Sequence, residues 1–424
     1  MNGSRKRILL VAQTTGYQAR VFADAARRLD LDLELATDRC HVLDDPWADQ
    51  AVAVRFESPE ESVEVLAAAL RCDGVVGVGD RPSHLAALVA ERWGVPGHPP
   101  AAVAACRNKF LARERFREAG LSVPEYFRVD LEEDPPTAAR RAPYPCVLKP
   151  LGLSASRGVI RANDERDFVE AFRRIGDLLA APDILRFRDP GDRCLQVESF
   201  IEGKEYALEG LVTGGKLRVL ALFDKPDPLD GPYFEETIYV TPSRAPEQVQ
   251  AELIAAAGRA VEALGLRHGP VHAEMRHNRH GAWMLEVAAR PIGGLCARAL
   301  RFQHDRPLEE LILRHALGDE IGEVRLRDPA RGVMMIPIPA AGVFVEAHGQ
   351  DRASAVPGVE EVIISAKQGQ KLLPLPEGSS YLGFLFARGE SAEDVEASLR
   401  CAHGELEIEM VGSLPIAPQR RRER

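Results

Sequence analysis

The sequence VHAEMRHNRHGAWMLEVAAR, residues 271–290, predicts a β-hairpin that carries two acidic side chains. Two segments with strand character flank a turn that contains Gly281, and a short turn with glycine is typical of hairpins. If the loop is 279–281, Glu274 and Glu286 stand directly opposite each other, with Cβ atoms about 5 Å apart. Two such carboxylates repel each other, and Mg²⁺ commonly binds one or two carboxylates together with substrate phosphates. The hairpin therefore predicts a magnesium site.

The register of this hairpin decides whether the two acids meet. In the expected register Met275 pairs with Leu285 on the opposite, buried face, and a shift of one residue would separate the acids. A second interpretation stays open. In it the acidic face is exposed to solvent, and Arg276 and Arg290 neutralise the carboxylates.

A second stretch, CVLKPLGLSASRGVIR at residues 146–161, predicts a strand, a loop of small residues and another strand. Small residues allow backbone N–H groups to approach phosphate oxygens, and Lys149 would add a positive charge. The alternative is a flexible hairpin loop without a ligand. Two common nucleotide motifs are missing, because no GK pair is followed by Ser or Thr and no GxGxxG follows the first strand.

Composition excludes several classes of protein. The 424 residues include 54 Lys and Arg against 64 Asp and Glu, a net charge of −10, which argues against a general nucleic-acid binder. No apolar run approaches the roughly 20 residues of a membrane helix, so we expect no membrane partner. The seven cysteines are scattered without a CxxC motif. This pattern favours reduced thiols in a cytoplasmic protein and disfavours a zinc site.

The order of predicted elements divides the chain into three domains. Strands and helices alternate over the first hundred residues, which predicts a parallel sheet and a domain at 1–107. A strand-rich middle, interrupted by helices, predicts a second domain at 108–330. The pattern changes again near Arg331, so we place a third domain at 331–424. We expect its basic end, RRRER, to be disordered.

Four motifs follow one another along the chain: RNK at 107–109, the Lys149 strand with its loop, VESFIEGKEYALEG at 197–210 and the hairpin extended to PIGG at 291–294. In this order they resemble the ATP-grasp superfamily of carboxylate–amine ligases over nearly the whole chain. Taken alone, the acids of the third motif are either surface residues or partners of adenine and ribose. FDKP at 223–226, GPYFEE at 231–236 and YLGF at 381–384 are most similar to the L-amino-acid ligases.

The resemblance implies an ATP-grasp fold of mixed α/β and α+β class. It also implies a Rossmann-like N-terminal domain, a C-terminal mixed α/β domain, and a cleft that binds ATP and Mg²⁺, with Mn²⁺ as a substitute. The positions that match ATP-binding residues are Lys109, Lys149, Ser154, Ala155, Ser156, Gly158, Glu198, Ser199, Phe200, Ile201 and Glu205. Glu274 and Glu286 match the metal ligands, in agreement with the hairpin argument. Arg290 matches the catalytic arginine that steadies the reacting carboxylate. Further candidates for substrate contacts are Glu235, His277, Gly293 and Gly294.

Two positions depart from the family pattern. Ala288 stands where many members have Asn, so we expect one metal ion to be held less tightly. Asn108 stands where Asp is frequent, a change that we expect to be harmless.

The implied activity is ATP-dependent joining of a carboxylate to an amine, most simply of two amino acids. The carboxylate would become an acyl phosphate, the amine would displace phosphate, and ADP would be released. A carboxylase that uses bicarbonate is one alternative, and a nucleotide-binding protein without catalysis is another. The expected partners are ATP and small-molecule substrates, with a homodimer left open.

Overall fold

The computed structural model describes residues 5–14, 18–38, 51–327 and 329–412. The basic end of the chain, with its predicted disorder, lies outside these residues. The N-terminal domain contains β1 (Arg7–Ala12), α1 (Ala19–Arg28), β2 (Asp32–Thr37), β3 (Val52–Ala53), α2 (Pro59–Ala69), β4 (Gly74–Val78), α3 (Asp80–Trp93) and α4 (Pro100–Arg107). Its strands form a parallel sheet in the order β3-β2-β1-β4. The apolar residues of β1 are fully buried in the centre of this sheet, as the sequence predicted.

A small antiparallel sheet follows and carries the nucleotide-loop motif. Its elements are α5 (Lys109–Glu118), β5 (Tyr126–Asp130), α6 (Pro135–Ala139), β6 (Cys146–Pro150), β7 (Ile160–Ala162), α7 (Glu165–Leu179), α8 (Pro182–Leu185) and β8 (Cys194–Ser199). The strand order is β5-β8-β6-β7. Helix α7 covers one face because Phe168, Phe172 and Ile175 recur at helical spacing and are buried against the strands.

Most of the remaining strands build an eight-stranded sheet that forms the floor of the cleft. The elements up to the second predicted boundary are β9 (Lys204–Thr213), β10 (Lys216–Lys225), β11 (Ile238–Thr241), α9 (Glu247–Leu264), β12 (His268–Asn278), β13 (Gly281–Ala288), β14 (Arg301–Phe302), β15 (Arg306–Pro307) and α10 (Leu308–Ala316). After it come β16 (Ala330–Ile336), β17 (Gly342–His348), α11 (Gln350–Ser354), β18 (Val359–Ile364), β19 (Lys371–Leu372), β20 (Gly383–Gly389), α12 (Ala392–Gly404) and β21 (Glu407–Val411).

The large sheet joins the second and third predicted domains. Its order is β13-β12-β9-β10-β11-β16-β20-β18, so strands from both sides of residue 330 share one antiparallel sheet. A smaller sheet, β19-β17-β21, lies beside it in the C-terminal domain. None of the described helices combines the length and apolar character that a membrane span requires. The continuous sheet gives one floor to a cleft that all three predicted domains enclose.

The hairpin of β12 and β13 confirms the predicted pairing of the two acids by an unexpected route. Asn278 pairs with Gly281, so the turn holds two residues instead of the predicted three. A bulge then adds one residue to β13 between its pairs with Glu274 and Met275. Met275 consequently faces Met284, and the predicted pair with Leu285 is wrong. The bulge restores the register, and Glu274 lies opposite Glu286.

Candidate active site

A cleft of about 1350 Å³ lies above the large sheet, between the N-terminal domain and the four-stranded sheet of β5, β8, β6 and β7. Most of the residues named from the sequence line it. They are Lys109, Lys149, Ser154, Ala155, Ser156, Glu198, Ser199, Phe200, Ile201, Glu205, Glu274, Glu286, Arg290, Gly293 and Gly294. Four segments that are far apart in the sequence therefore contribute to one site.

Three of the proposed site residues do not line the cleft. Successive side chains of β12 point to opposite faces of the sheet, and His277 lies on the face that packs against α9. Its Nε2 lies there 2.8 Å from Oε2 of Glu252. Glu235 is not among the residues that line the cleft, whereas its neighbour Glu236 is. Gly158 binds the C-terminal domain, because its N–H donates to the carbonyl oxygen of Pro376 over 2.9 Å. The expectation that His277 and Glu235 touch a substrate is corrected by these positions.

Glu198 is a buried anchor for Lys149. Its carboxylate is 2% exposed and accepts hydrogen bonds from Lys149, from Arg113 over 3.0 Å and from Gln196 over 2.8 Å. Burial alone would raise the pKa of Glu198, but Arg113 and Lys149 lower that pKa to about 2. A surface position for this acid is therefore wrong. The ion pair fixes the Lys149 ammonium at the cleft wall.

Lys109 is placed by the start of α5. The side chain of Asn108 caps this helix by accepting hydrogen bonds from the N–H groups of Phe110 and Leu111, both over 3.1 Å. Asparagine caps helices as well as aspartate does, which explains why the departure at Asn108 leaves the local structure intact. Lys109 then reaches into the cleft. Its Nζ lies 2.5 Å from the carbonyl oxygen of Leu153 and 3.7 Å from Oε2 of Glu286.

The two predicted metal ligands face the cleft and keep part of their surface exposed. The side chains of Glu274 and Glu286 are 23% and 30% exposed. Neither Arg276 nor Arg290 forms a direct ion pair with them, because Arg276 binds Glu205 over 2.9 Å and Arg290 binds a different acid. Arg290 still lies close enough to both carboxylates for their charges to help raise its pKa. Two accessible carboxylates on adjacent strands are a donor set that suits Mg²⁺ with bound phosphate. The residues present therefore fit the predicted ion.

Glu274 also belongs to a group of three acids that surrounds a lysine. Side-chain oxygens of Glu205, Glu236 and Glu274 lie within 4.8 Å of one another. The Nζ atom of Lys225 lies 2.8 Å from Glu205, 2.5 Å from Glu236 and 3.5 Å from Glu274. Burial would lower the pKa of Lys225, but the three carboxylates raise it well above its usual value. Lys225 thus acts as an internal counter-ion, a role that sequence reasoning did not find.

His272 supports Glu274 from the other side. Its Nδ1 lies 2.6 Å from Oε1 of Glu209, and its Nε2 lies 3.2 Å from Oε1 of Glu274. Although burial lowers the pKa of His272, hydrogen bonds to the two acids raise it to about 9. The imidazole thus bridges Glu209 and Glu274 and orients the Glu274 carboxylate.

Arg290 is held by an acid of the N-terminal domain that the sequence analysis missed. Asp80 begins α3, directly after β4, and its Oδ1 accepts a hydrogen bond from Nε of Arg290 over 2.7 Å. Burial opposes ionisation, but Arg290 lowers the pKa of Asp80 to about 2. The sequence position of Asp80 could have marked it as a site residue, because it follows strand β4 of a parallel sheet. The carboxyl ends of such strands are common ligand sites.

The small-residue loop is strained and tied to the C-terminal domain at one end. Ala155 and Ser156 have φ values of 55° and 53°, in the left-handed region that non-glycine residues rarely adopt. Arg157 donates from Nε to the carbonyl oxygen of Glu377 over 2.8 Å. Such strain is common at ligand-binding segments. The loop therefore lies over the cleft, with its end attached to the C-terminal domain.

The sequence matches two family models. Residues 142–299 match the ATP-grasp domain, and residues 334–411 match the L-amino acid ligase C-terminal domain 2. The first match covers the Lys149 loop, the metal hairpin and Arg290. The second covers the part of the large sheet that lies beyond β16, together with the small C-terminal sheet.

Individual proteins show the same likeness. The crystal structure of L-amino acid ligase from Bacillus licheniformis has a TM-score of 0.81 at 27% identity, covering 97% of this chain and 100% of that one. Alanine–anticapsin ligase of Bacillus subtilis (strain 168) is 30% identical over 49% of this chain and 46% of that protein. Carnosine synthase 1 of Gallus gallus is 30% identical over 57% of this chain and 27% of that protein. The alignments span less than half the length of either of these two relatives. The matches confirm the ATP-grasp resemblance and the fold expected from the sequence.

Proposed function

This chain is an ATP-grasp protein similar to the L-amino acid ligases, and from that premise we propose that it joins a carboxylate to an amine with ATP. The observation that carries the proposal is the position of Glu274 opposite Glu286 in the cleft that Lys149 and Arg290 also line. Phosphate-binding cations, metal-binding carboxylates and a carboxylate-binding arginine at one place suit phosphoryl transfer to a carboxylate. Amino acids are the proposed substrates, since the C-terminal domain matches that of the amino-acid ligases.

In this proposal the chain's own residues bind, orient and shield the reactants. Lys109, Lys149 and the backbone of the small-residue loop hold the phosphates of ATP. Glu274 and Glu286 hold Mg²⁺, which would supply charge stabilisation at the transferred phosphate. Arg290, fixed by Asp80, orients the substrate carboxylate for attack on the γ-phosphorus. Most of the rate enhancement would then come from positioning and electrostatics.

The second half of the reaction forms the amide. The amine nitrogen attacks the carbonyl carbon of the acyl phosphate and forms the C–N bond. The C–O bond to the phosphate breaks, phosphate leaves with that electron pair, and the amine loses a proton. The products are an amide, ADP and inorganic phosphate. The proposed partners are these small molecules, and a cytoplasmic location and a homodimer stay predictions.

The test is a screen of amino-acid pairs with ATP and Mg²⁺, read by phosphate release and by mass spectrometry of the products. Phosphorus NMR identifies the nucleotide product. We expect ADP, with phosphate release that rises when the correct amine is added and a new amide mass. Formation of AMP would contradict the mechanism. Turnover only with bicarbonate would indicate a carboxylase, and ATP binding without turnover on any substrate would indicate a protein without catalysis.

A further inference from the structure

The positive charges that line the cleft are almost all paired with acids of the protein itself. Among the described residues, Lys149 binds Glu198 and Arg290 binds Asp80. Arg276, His272 and Lys109 each lie within 4 Å of a carboxylate as well. Among the described basic residues that line the cleft, Lys367 is the exception. It lines the cleft, its side chain is exposed, and its ammonium makes no ion pair with any described residue.

Lys367 belongs to a wall that carries no acidic side chain. The wall is formed by residues 365–370, which follow β18, and 379–381, which precede β20. Its other polar lining groups are hydroxyls and amides, contributed by Ser365, Gln368, Gln370, Ser379 and Ser380. The backbone N–H of Lys367 donates to Oε1 of Gln370 over 2.9 Å, which fixes the turn while leaving the ammonium free. We refer to residues 365–370 and 379–381 as the C-terminal wall.

The sheet floor beside the C-terminal wall is apolar. The metal-binding acids lie on β12 and β13 at one edge of the sheet, whereas β11, β16 and β20 lie farther along the strand order. From these middle strands Tyr239 and Met335 line the cleft, and they are 2% and 3% exposed. Tyr381 of the wall and Cys296 complete this surface. Glu236, which also lines the cleft, is paired with Lys225 over 2.5 Å, and the Nζ atom of Lys225 lies 4.9 Å from the centre of the Tyr239 ring. This end of the cleft therefore presents aromatic and apolar groups around one neutralised acid, beside the unpaired ammonium of Lys367.

We propose that the C-terminal wall binds the amine substrate and that Lys367 binds its free carboxylate. The inference rests on the proposed ligase function and names the class of its amine: an α-amino acid with an apolar side chain. A carboxylate that leaves water needs a charged partner. In the proposed reaction Lys109, Lys149 and Arg290 are assigned to ATP and to the first carboxylate, whereas Lys367 makes no ion pair with any described residue and has no other assigned ligand. The apolar floor of Tyr239 and Met335 then receives the side chain. An amine that lacks the carboxylate would lose this contact.

The experiment compares Lys367→Met with a matched control, Lys371→Met. Lys371 is exposed, lies four residues farther along the chain, and does not line the cleft. For each variant, the KM for an apolar amino acid as the amine is measured beside the KM for its carboxamide, which lacks the negative charge. In Lys367→Met we expect the KM for the amino acid to rise about tenfold to a hundredfold. The KM values for the carboxamide and for ATP, and all values in Lys371→Met, should stay unchanged.

Charge reversal adds a gain of activity to the test. Lys367→Glu should use an apolar amino acid poorly and a diamine better than the wild-type protein does. An equal rise of KM for the amino acid and the carboxamide in Lys367→Met, or no rise at all, would overturn the assignment of Lys367. A wild-type preference for amino acids with charged side chains would overturn the apolar floor. If the wild-type protein forms no amide with any amine, the proposed function itself fails, which is a distinct result.

Discussion

Arg290 of the metal hairpin and Asp80 of the N-terminal domain form a nearly buried ion pair, with Nε of the arginine 2.7 Å from Oδ1 of the aspartate. The two side chains are 12% and 21% exposed. Arg290 also donates from Nη1 to the carbonyl oxygen of Pro291 over 3.1 Å. Both contacts limit the rotation of the guanidinium, so its remaining N–H groups have a fixed direction. The N-terminal domain thereby helps to position a residue of the proposed reaction.

Asp80→Asn tests this role. Asparagine keeps an acceptor oxygen but removes the charge that holds Arg290. We expect kcat to fall about tenfold to a hundredfold, the usual range for loss of a charged hydrogen bond. The KM for ATP should change less, because Lys109 and Lys149 remain. Steady-state kinetics with Asp24→Asn as the control, an acid on α1 outside the cleft lining, separate this effect from a general change of charge. Unchanged kcat in Asp80→Asn would remove Asp80 from the site.

Glu286→Gln tests the metal assignment. The substitution keeps the size of the side chain and removes one of the two carboxylates that face the cleft. We expect turnover to be nearly abolished, since a metal ligand supplies several kcal/mol of charge stabilisation to the transition state. Raising the Mg²⁺ concentration should recover part of the activity. Glu252→Gln is the matched control, because Glu252 binds His277 outside the cleft. Wild-type rates in Glu286→Gln at low Mg²⁺ would show that the metal is held elsewhere.

The local parts of the fold and site could be predicted, and the parts made by distant contacts could not. The Glu274–Glu286 pair follows from a hairpin, in which the register of neighbouring strands depends on a few residues. The pairing of Lys225 with Glu236 depends instead on how a loop returns beside β10. The ion pair of Asp80 and Arg290 joins residues 210 positions apart, which no local pattern encodes.

Some elements were missed because their sequence lacks the expected periodicity. Helix α10, LEELILRHA, is buried on almost every side, including Glu309 and Glu310, so no polar face marks it as a helix. Strand β17 was also missed. It pairs with β19 and with β21, a partner that lies about 60 residues farther along the chain. Its burial is decided by that distant pairing rather than by its own alternation.

Two buried histidines should make stability depend on pH. Burial lowers the pKa of His98 and the pKa of His315 to about 4, from 6.5 in an exposed state. His98 accepts a hydrogen bond from the backbone N–H of Arg267 over 3.1 Å, and His315 stacks on His268 at 3.8 Å. A group with a lowered pKa in the folded state binds its proton on unfolding. The two neutral histidines therefore stabilise the fold fully above pH 6.5, and this contribution is lost as pH falls toward 4.

The measurement is the free energy of unfolding in urea at pH 7 and pH 5, for the wild-type protein and for a double variant, His98→Gln with His315→Gln. Burial raises the pKa of Glu236 to about 7 and the pKa of Asp192 to about 6. In this range both acids make the free energy of unfolding rise as pH falls, which is opposite to the effect of the histidines. The comparison between proteins removes the contribution of these acids. We expect the wild-type protein to lose on the order of 3 kcal/mol more than the variant between the two pH values. Equal losses would mean that these histidines already titrate normally in the folded state.

We expect nucleotide to slow amide hydrogen exchange at the start of the loop at 154–158 and not at its end. The backbone N–H groups of Ala155 and Ser156 donate to no described residue, whereas the N–H of Gly158 binds the carbonyl oxygen of Pro376 over 2.9 Å. Without nucleotide, we expect the first two amides to exchange with solvent rapidly and the Gly158 amide to be protected. A non-hydrolysable ATP analogue with Mg²⁺ should slow exchange at Ala155 and Ser156 at least about tenfold, because phosphate oxygens then accept from them. The Gly158 amide serves as the internal control, since its acceptor is the same in both states. Hydrogen exchange resolved to single amides by NMR checks this, and equal exchange of Ala155 and Ser156 in both states would refute a lid over the phosphates.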